Sequence, residues 1–127
     1  MGYADGGFAL VSTLRAGQIV LVDWRDGLPR EPNKLRPAIV VEDDEGFDDS
    51  YPNVIVVPLS GDVLTAPWEF TLAIDPTAEN GCSARCYALS CSVTTASMHR
   101  VRPTPSRILP EQLSAIRRQI AMAIGLE

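Results

Sequence analysis

Three cysteines, Cys82, Cys86 and Cys91, fall within ten residues, and the only histidine, His99, follows eight residues after the last of them. Thiolates and imidazole are zinc ligands, but a structural zinc site takes four ligands in two closely spaced pairs, which this spacing does not supply. No metal is expected. Cys86 and Cys91 stand in the apolar run Cys86 to Val93, where cysteine acts as a small buried hydrophobe. A single histidine leaves only His99 for a Ser/His/Asp triad, and its place a few polar residues beyond a predicted strand reads as structural. The chain has no Gly-rich phosphate loop opening a helix, no nucleophile elbow and no paired histidines. What remains is the strand-loop-strand unit from Gly17 to Val41, where Arg25, Arg30, Lys34 and Arg36 face Asp26 and Glu31, together with the strand that follows it.

Charge weighs against a nucleic-acid partner at first, since the net charge is −5 and the pI about 4.8. Distribution changes the balance. Six of the sixteen acids, Glu42, Asp43, Asp44, Glu45, Asp48 and Asp49, lie in one run that reads as a solvated loop, and without them the net charge of −5 becomes about +1. From Arg85 to Arg118 there are six arginines and one acid. The 127 residues, 46% apolar and 21% charged, suit one globular domain with its own core. Apolar stretches such as Ile19 to Val22 and Val54 to Leu59 fall short of the roughly 18 residues of a membrane span, and Met1 to Leu14 lacks the pattern of a secretory signal. No membrane association, a cytoplasmic location and reduced thiols are therefore expected.

The elements that must position any site follow from period. Gln18 to Trp24 is a β-type run ended by Asp26-Gly27-Leu28-Pro29, and Pro37 to Val41 is a second strand. A third strand, Val54 to Ser60, carries Pro58, which predicts an edge or a bulge. Trp68 to Ile74 alternates apolar and polar residues, Cys86 to Val93 reads as a fifth strand, and a short sixth is expected over Met98 to Arg102. Beyond Pro103 the period becomes helical. Leu113, Ile116, Ile120 and Ile124 share one face of a helix from about Pro110 to Ile124, with Pro110 at its start, Gly125 at its stop, and Arg117 and Arg118 off the stripe near the negative end of its dipole. The chain is thus expected to be a β-rich α+β protein, a compact barrel-like sheet with a C-terminal amphipathic helix packed on it.

Taken in order, Gly17-Gln18-Ile19-Val20-Leu21-Val22-Asp23, a polar loop, Leu35-Arg36-Pro37-Ala38-Ile39-Val40-Val41, Val54-Ile55-Val56-Val57-Pro58-Leu59-Ser60 and the terminal Ala123-Ile124-Gly125-Leu126 resemble the MazF/PemK toxin family. The resemblance spans Gly17 to Leu126 and implies a domain over residues 15–127, with 1–14 an N-terminal extension of no assigned role. It implies a small SH3-like β-barrel, a homodimer, and a groove that accepts single-stranded RNA or a segment of an acidic antitoxin. The implied activity is metal-independent endoribonuclease cleavage without a cofactor. A non-catalytic toxin of the gyrase-poison kind, or an SH3-like binding module, is the alternative on the same fold.

Carried over singly, the family's functional arginine falls on Arg36, its loop carboxylate on Glu31 and its hydroxyl on Ser60, while Arg25, Arg30 and Lys34 would line the RNA groove. Some members use a polar or acidic group in the fifth strand, and the nearest position here is Ser92. Each residue also has a plainer reading: Arg36 at a strand edge, Glu31 as a loop charge, Ser60 bonded to backbone at a turn. As a set they suit RNA, which carries its own nucleophile in the 2′-hydroxyl. A carboxylate can take that proton, a guanidinium can stabilise charge growing on phosphate oxygens, and a hydroxyl can bond one of those oxygens.

Overall fold

Strand β1 (Gln18–Asp23) sends Ile19 to one apolar layer and Val20 and Val22 to another, so both of its faces are covered. This is why the run is continuously apolar rather than alternating with polar residues. The computed structural model describes residues 14–24, 35–46, 50–62 and 68–127. Strand β2 (Leu35–Val40) pairs antiparallel with β1, setting Ile19 opposite Ile39 and Val22 opposite Arg36. Strand β3 (Asn53–Ser60) lies on the other side of β2. Strands β4 (Thr71–Ile74), β5 (Cys86–Leu89), β6 (Thr94–Ser97) and β7 (Val101–Arg107) complete a seven-stranded sheet of order β4-β5-β3-β2-β1-β7, with β6 also on β3.

The sheet bends at β3. Its first half, Asn53 to Val56, pairs with β6, while Leu59 and Ser60 pair with β5 on the same edge. Pro58 stands in the gap between those two pairings and opposite Ala38 of β2, where its missing N–H interrupts neither ladder. Ser60 is thereby carried to the end of β3 at which the sheet turns. The result is the barrel-like sheet expected from the strand pattern.

Helix α1 (Pro110–Ala123) closes one side. Ile116 is wholly buried and Leu113 and Ile120 pack beside it against Ile39, Val57 and Ile74. Burying one such side chain contributes about 1.5–3 kcal/mol. At its start Pro110 occupies the first turn and Gln112 Oε1 accepts from Leu109 N at 2.8 Å. At its end Gly125 takes φ +84°, which lets Leu126 N donate to the Ala121 carbonyl at 2.7 Å and Gly125 N to that of Met122 at 3.2 Å. Arg117 does more than answer the helix dipole: its Nε and Nη2 donate to the Val41 carbonyl at 3.1 and 2.9 Å, tying the helix to the sheet.

Four local expectations are corrected. The fourth strand starts at Thr71, since Trp68–Phe70 forms a 3-10 turn. The fifth ends at Leu89 because Ser90–Ser92 also forms a 3-10 turn, and Ser92 is therefore not a strand residue. The expected short sixth strand is in fact two, and β7 runs on through Pro103 and Pro105 to Arg107. It can do so because, among the described residues, β7 pairs only with β1, and an edge strand tolerates prolines. Finally, Ile124 is 64% exposed: the helix has ended and the sheet no longer lies beneath it. No helix among the described residues is long and apolar enough to cross a membrane.

Candidate functional site

A cavity of about 740 Å³ opens where β1, β2 and the end of β3 meet the chain between β4 and β5. Strand alternation places Ile19 and Leu21 on its floor, Arg36 and Pro37 come from β2, and Leu59 and Ser60 come from β3. Two of the expected site residues, Arg36 and Ser60, are thus brought to one cavity although they are 24 residues apart in sequence. Glu31, Arg25, Arg30 and Lys34 lie outside the described residues. Among the described residues that line the cavity, the charged ones are Arg36 and Arg85, so it presents basic groups despite the acidic pI.

Ser60 is already engaged. Its Oγ accepts from Asp62 N at 3.0 Å and makes a longer contact of 3.4 Å to the Asp62 carbonyl. A hydroxyl has one proton and two lone pairs, so Ser60 can donate to a ligand oxygen by releasing that longer contact while keeping the turn. The acidic run is exposed at Asp43, Asp44 and Glu45, as a solvated loop would be, and two of its carboxylates also bond backbone. Asp44 Oδ1 accepts from Ala16 N at 2.7 Å, and Glu42 Oε1 from Ile55 N at 3.1 Å.

Sequence reading passed over the wall formed by the segment before β5. Asn80 is buried, and its Oδ1 accepts from Thr77 N at 3.0 Å and Cys82 N at 2.9 Å while its Nδ2 donates to the Asp75 carbonyl at 2.9 Å. One side chain therefore organises the whole turn. Arg85 Nε and Nη2 grip the Asp75 carboxylate at 2.6 and 3.1 Å, and that hydrogen bond from Arg85 holds the Asp75 carboxyl below its usual range. Both groups are well exposed, so the pair places Arg85 more than it stabilises the fold. The only sequence signal for this wall was its turn chemistry, Asp75-Pro76 and Asn80-Gly81.

Gly81 gives the wall a sharp test. It holds φ +66°, and a Cβ there would lie 2.9 Å from Ser106 Oγ. Gly81→Ala is expected to lower unfolding free energy by about 1–3 kcal/mol, read from urea midpoints, because a left-handed non-glycine and a close contact coincide. An unchanged midpoint would show that the turn relaxes without cost.

His99 lies apart, exposed in a 3-10 turn, with its N–H donating to Ser97 Oγ at 3.3 Å. The cysteines do not gather a metal site: the described residues contain no group of three or more His, Cys, Asp or Glu arranged for one.

The sequence model of the PemK-like, MazF-like toxins of type II toxin-antitoxin systems matches residues 15–124. The chain belongs to this family. As a PemK-like, MazF-like chain it also shares the fold of solved toxins. It is similar to an endoribonuclease in complex with its cognate antitoxin from a mycobacterial species, with TM-score 0.70, 16% identity, and coverage of 91% of this chain and 98% of that one. MazF from Deinococcus radiodurans gives 0.68 at 16% identity over 88% and 96% of the two chains. The Mycobacterium tuberculosis toxin MazF-mt6 gives 0.67 at 20% identity over 87% and 98%. At these identities the likeness is one of fold. No curated protein sequence matches the chain.

Proposed function

We propose that this PemK-like, MazF-like chain is a toxin that cleaves single-stranded RNA without metal and is neutralised by an acidic antitoxin. The observation that carries the proposal is the single cavity onto which Arg36 and Ser60 both open, inside the span that matches the toxin family. Similar folds include an endoribonuclease bound to its antitoxin, which supports both parts of the reading. The working unit is a homodimer of domains spanning residues 15–127, in the cytoplasm.

In the proposed reaction the Glu31 carboxylate accepts the 2′-hydroxyl proton, and the 2′-oxygen attacks the adjacent phosphorus. The bond to the 5′-oxygen breaks, and that oxygen leaves with a proton taken from water. Arg36 stabilises charge on the phosphate oxygens and acts electrostatically, because arginine stays protonated in proteins. Ser60 bonds a phosphate oxygen. Arg25, Arg30 and Lys34 hold the RNA backbone, and the same groove accepts the acidic side chains of the antitoxin. The substrate's own nucleophile makes a metal-bound hydroxide unnecessary.

The engagement of Ser60 with Asp62 favours a second reading, a non-catalytic toxin or an SH3-like binding module. Purified protein incubated in EDTA with single-stranded RNAs of varied sequence separates the two. Cleavage is expected; binding without cleavage of any of them would establish the second reading instead.

A further inference from the structure

The cavity wall carries a feature that phosphate chemistry does not use. Cys82 and Cys86 both line it, and their sulfurs stand 3.7 Å apart. Both are free thiols and half-buried, whereas Cys91 is exposed on the turn after β5. Cys82 sits in the Asn80 turn, with its N–H held by Asn80 Oδ1 at 2.9 Å and its Sγ 3.8 Å from the Asn80 carbonyl. Cys86 opens β5 opposite Ile74 and packs against the core beside α1. The two thiols are therefore held face to face by structured backbone.

The geometry points to Cys82 and Cys86 as a reversible dithiol–disulfide site, oxidised by hydroperoxides, that reshapes the wall of the Arg36 and Ser60 cavity. A disulfide needs its sulfurs at about 2.05 Å, so closure takes a movement of less than 2 Å from the observed separation, within reach of side-chain rotation and a small shift of the turn. Burial pushes the Cys86 thiol up to about 12, and the neighbouring Cys82 adds to the rise. Cys86 is consequently the second sulfur to react and Cys82 the first. Hydrogen peroxide transfers one oxygen to Cys82, forming a sulfenic acid and one water. The Cys86 sulfur then displaces the sulfenic oxygen, the S–S bond forms, and a second water leaves. Two thiols lose two electrons and one peroxide gains them.

Arg85 lies inside the ring that this bond would close, between Cys82 and Cys86, and it reaches out of that segment to Asp75. Drawing the sulfurs together moves the segment that carries one of the cavity's two described arginines. Oxidation should therefore weaken binding of the cavity's ligand. That consequence rests on the RNA reading, whereas disulfide formation does not.

The test treats the full chain with hydrogen peroxide, alkylates remaining thiols and maps the peptides by mass. The expected product has lost two hydrogens, links Cys82 to Cys86, leaves Cys91 alkylated, and returns to starting mass with a dithiol reductant. Cys91→Ser should keep this chemistry and Cys82→Ser should abolish it. The half-turn position of Cys82 makes the latter variant safer for folding than one at Cys86, which touches the core. In the Cys91→Ser protein, oxidation should reduce affinity for a short single-stranded RNA about tenfold, or 1.4 kcal/mol. Chains cross-linked through Cys91, or sulfinic acid at Cys82 beside a free Cys86, would overturn the dithiol assignment. A mapped Cys82–Cys86 bond with unchanged RNA affinity would overturn its link to the cavity, and RNA bound by neither form would count against the nuclease reading while the bond itself stood.

Discussion

A single 2′-deoxy substitution at the cleaved nucleotide is expected to stop cleavage while leaving RNA binding nearly intact. In the proposed reaction Arg36, Glu31 and Ser60 supply charge, a base and a hydrogen-bond donor, but no side chain is assigned to attack phosphorus. On this proposal the nucleophile belongs to the substrate. Removing one oxygen from the RNA therefore removes the reaction, whereas binding draws on phosphates that remain in place and on contacts with Arg25, Arg30, Lys34 and Arg36. Gel analysis of cleavage and fluorescence anisotropy of binding, on oligonucleotides differing at that one position, measure the two separately. Cleavage of the deoxy-substituted bond would show that water or an enzyme group is the nucleophile.

Arg36→Ala is expected to slow cleavage about 10²- to 10³-fold, the usual cost of removing a preorganised charge that faces a transition state. Its fold should survive. Arg36 is exposed on β2 opposite Val22, and the strand is anchored by Ala38, Ile39 and Val40, all wholly buried. Glu31→Gln should cost about 10²-fold or more if the carboxylate is the base. Ser60→Ala should cost less than either, since its hydroxyl is shared with the Asp62 turn. Cleavage rates of the variants against wild type, each with an unchanged circular dichroism spectrum, check the order. An Arg36→Ala protein that cleaves at the wild-type rate would remove this arginine from the mechanism.

The main elements were legible because their side chains announce their surroundings. Ile19 to Val22 is apolar at every position since both faces of β1 are covered, Val54, Val56 and Val57 of β3 are buried while Ile55 is exposed, and Leu113, Ile116 and Ile120 mark the helix face that meets the sheet. The strands β6 and β7 were harder to read. Thr94 and Thr95 are exposed and β7 contains two prolines, so neither shows an apolar period, and their pairing partners lie far away in sequence.

The candidate site divides in the same way. Arg36 and Ser60 could be placed because each sits at the end of an apolar strand in a family-like block. The Asn80 wall could not, because it is made by contacts between distant segments: Arg107 N donates to the Glu79 carbonyl at 2.9 Å, and Gly81 faces Ser106. The close approach of the Cys82 and Cys86 sulfurs was equally hidden. Reading the cysteines as candidate zinc ligands or buried hydrophobes left out the possibility that two of them face one another on a cavity wall.

The most direct test of the central proposal is the chemical identity of the ends that the wild-type protein makes on one single-stranded RNA oligonucleotide in excess EDTA. Attack by the 2′-hydroxyl predicts a 2′,3′-cyclic phosphate on the upstream fragment and a free 5′-hydroxyl on the downstream one, both assignable by mass. Fragments ending in a 3′-hydroxyl and a 5′-phosphate, or cleavage that EDTA abolishes, would contradict it.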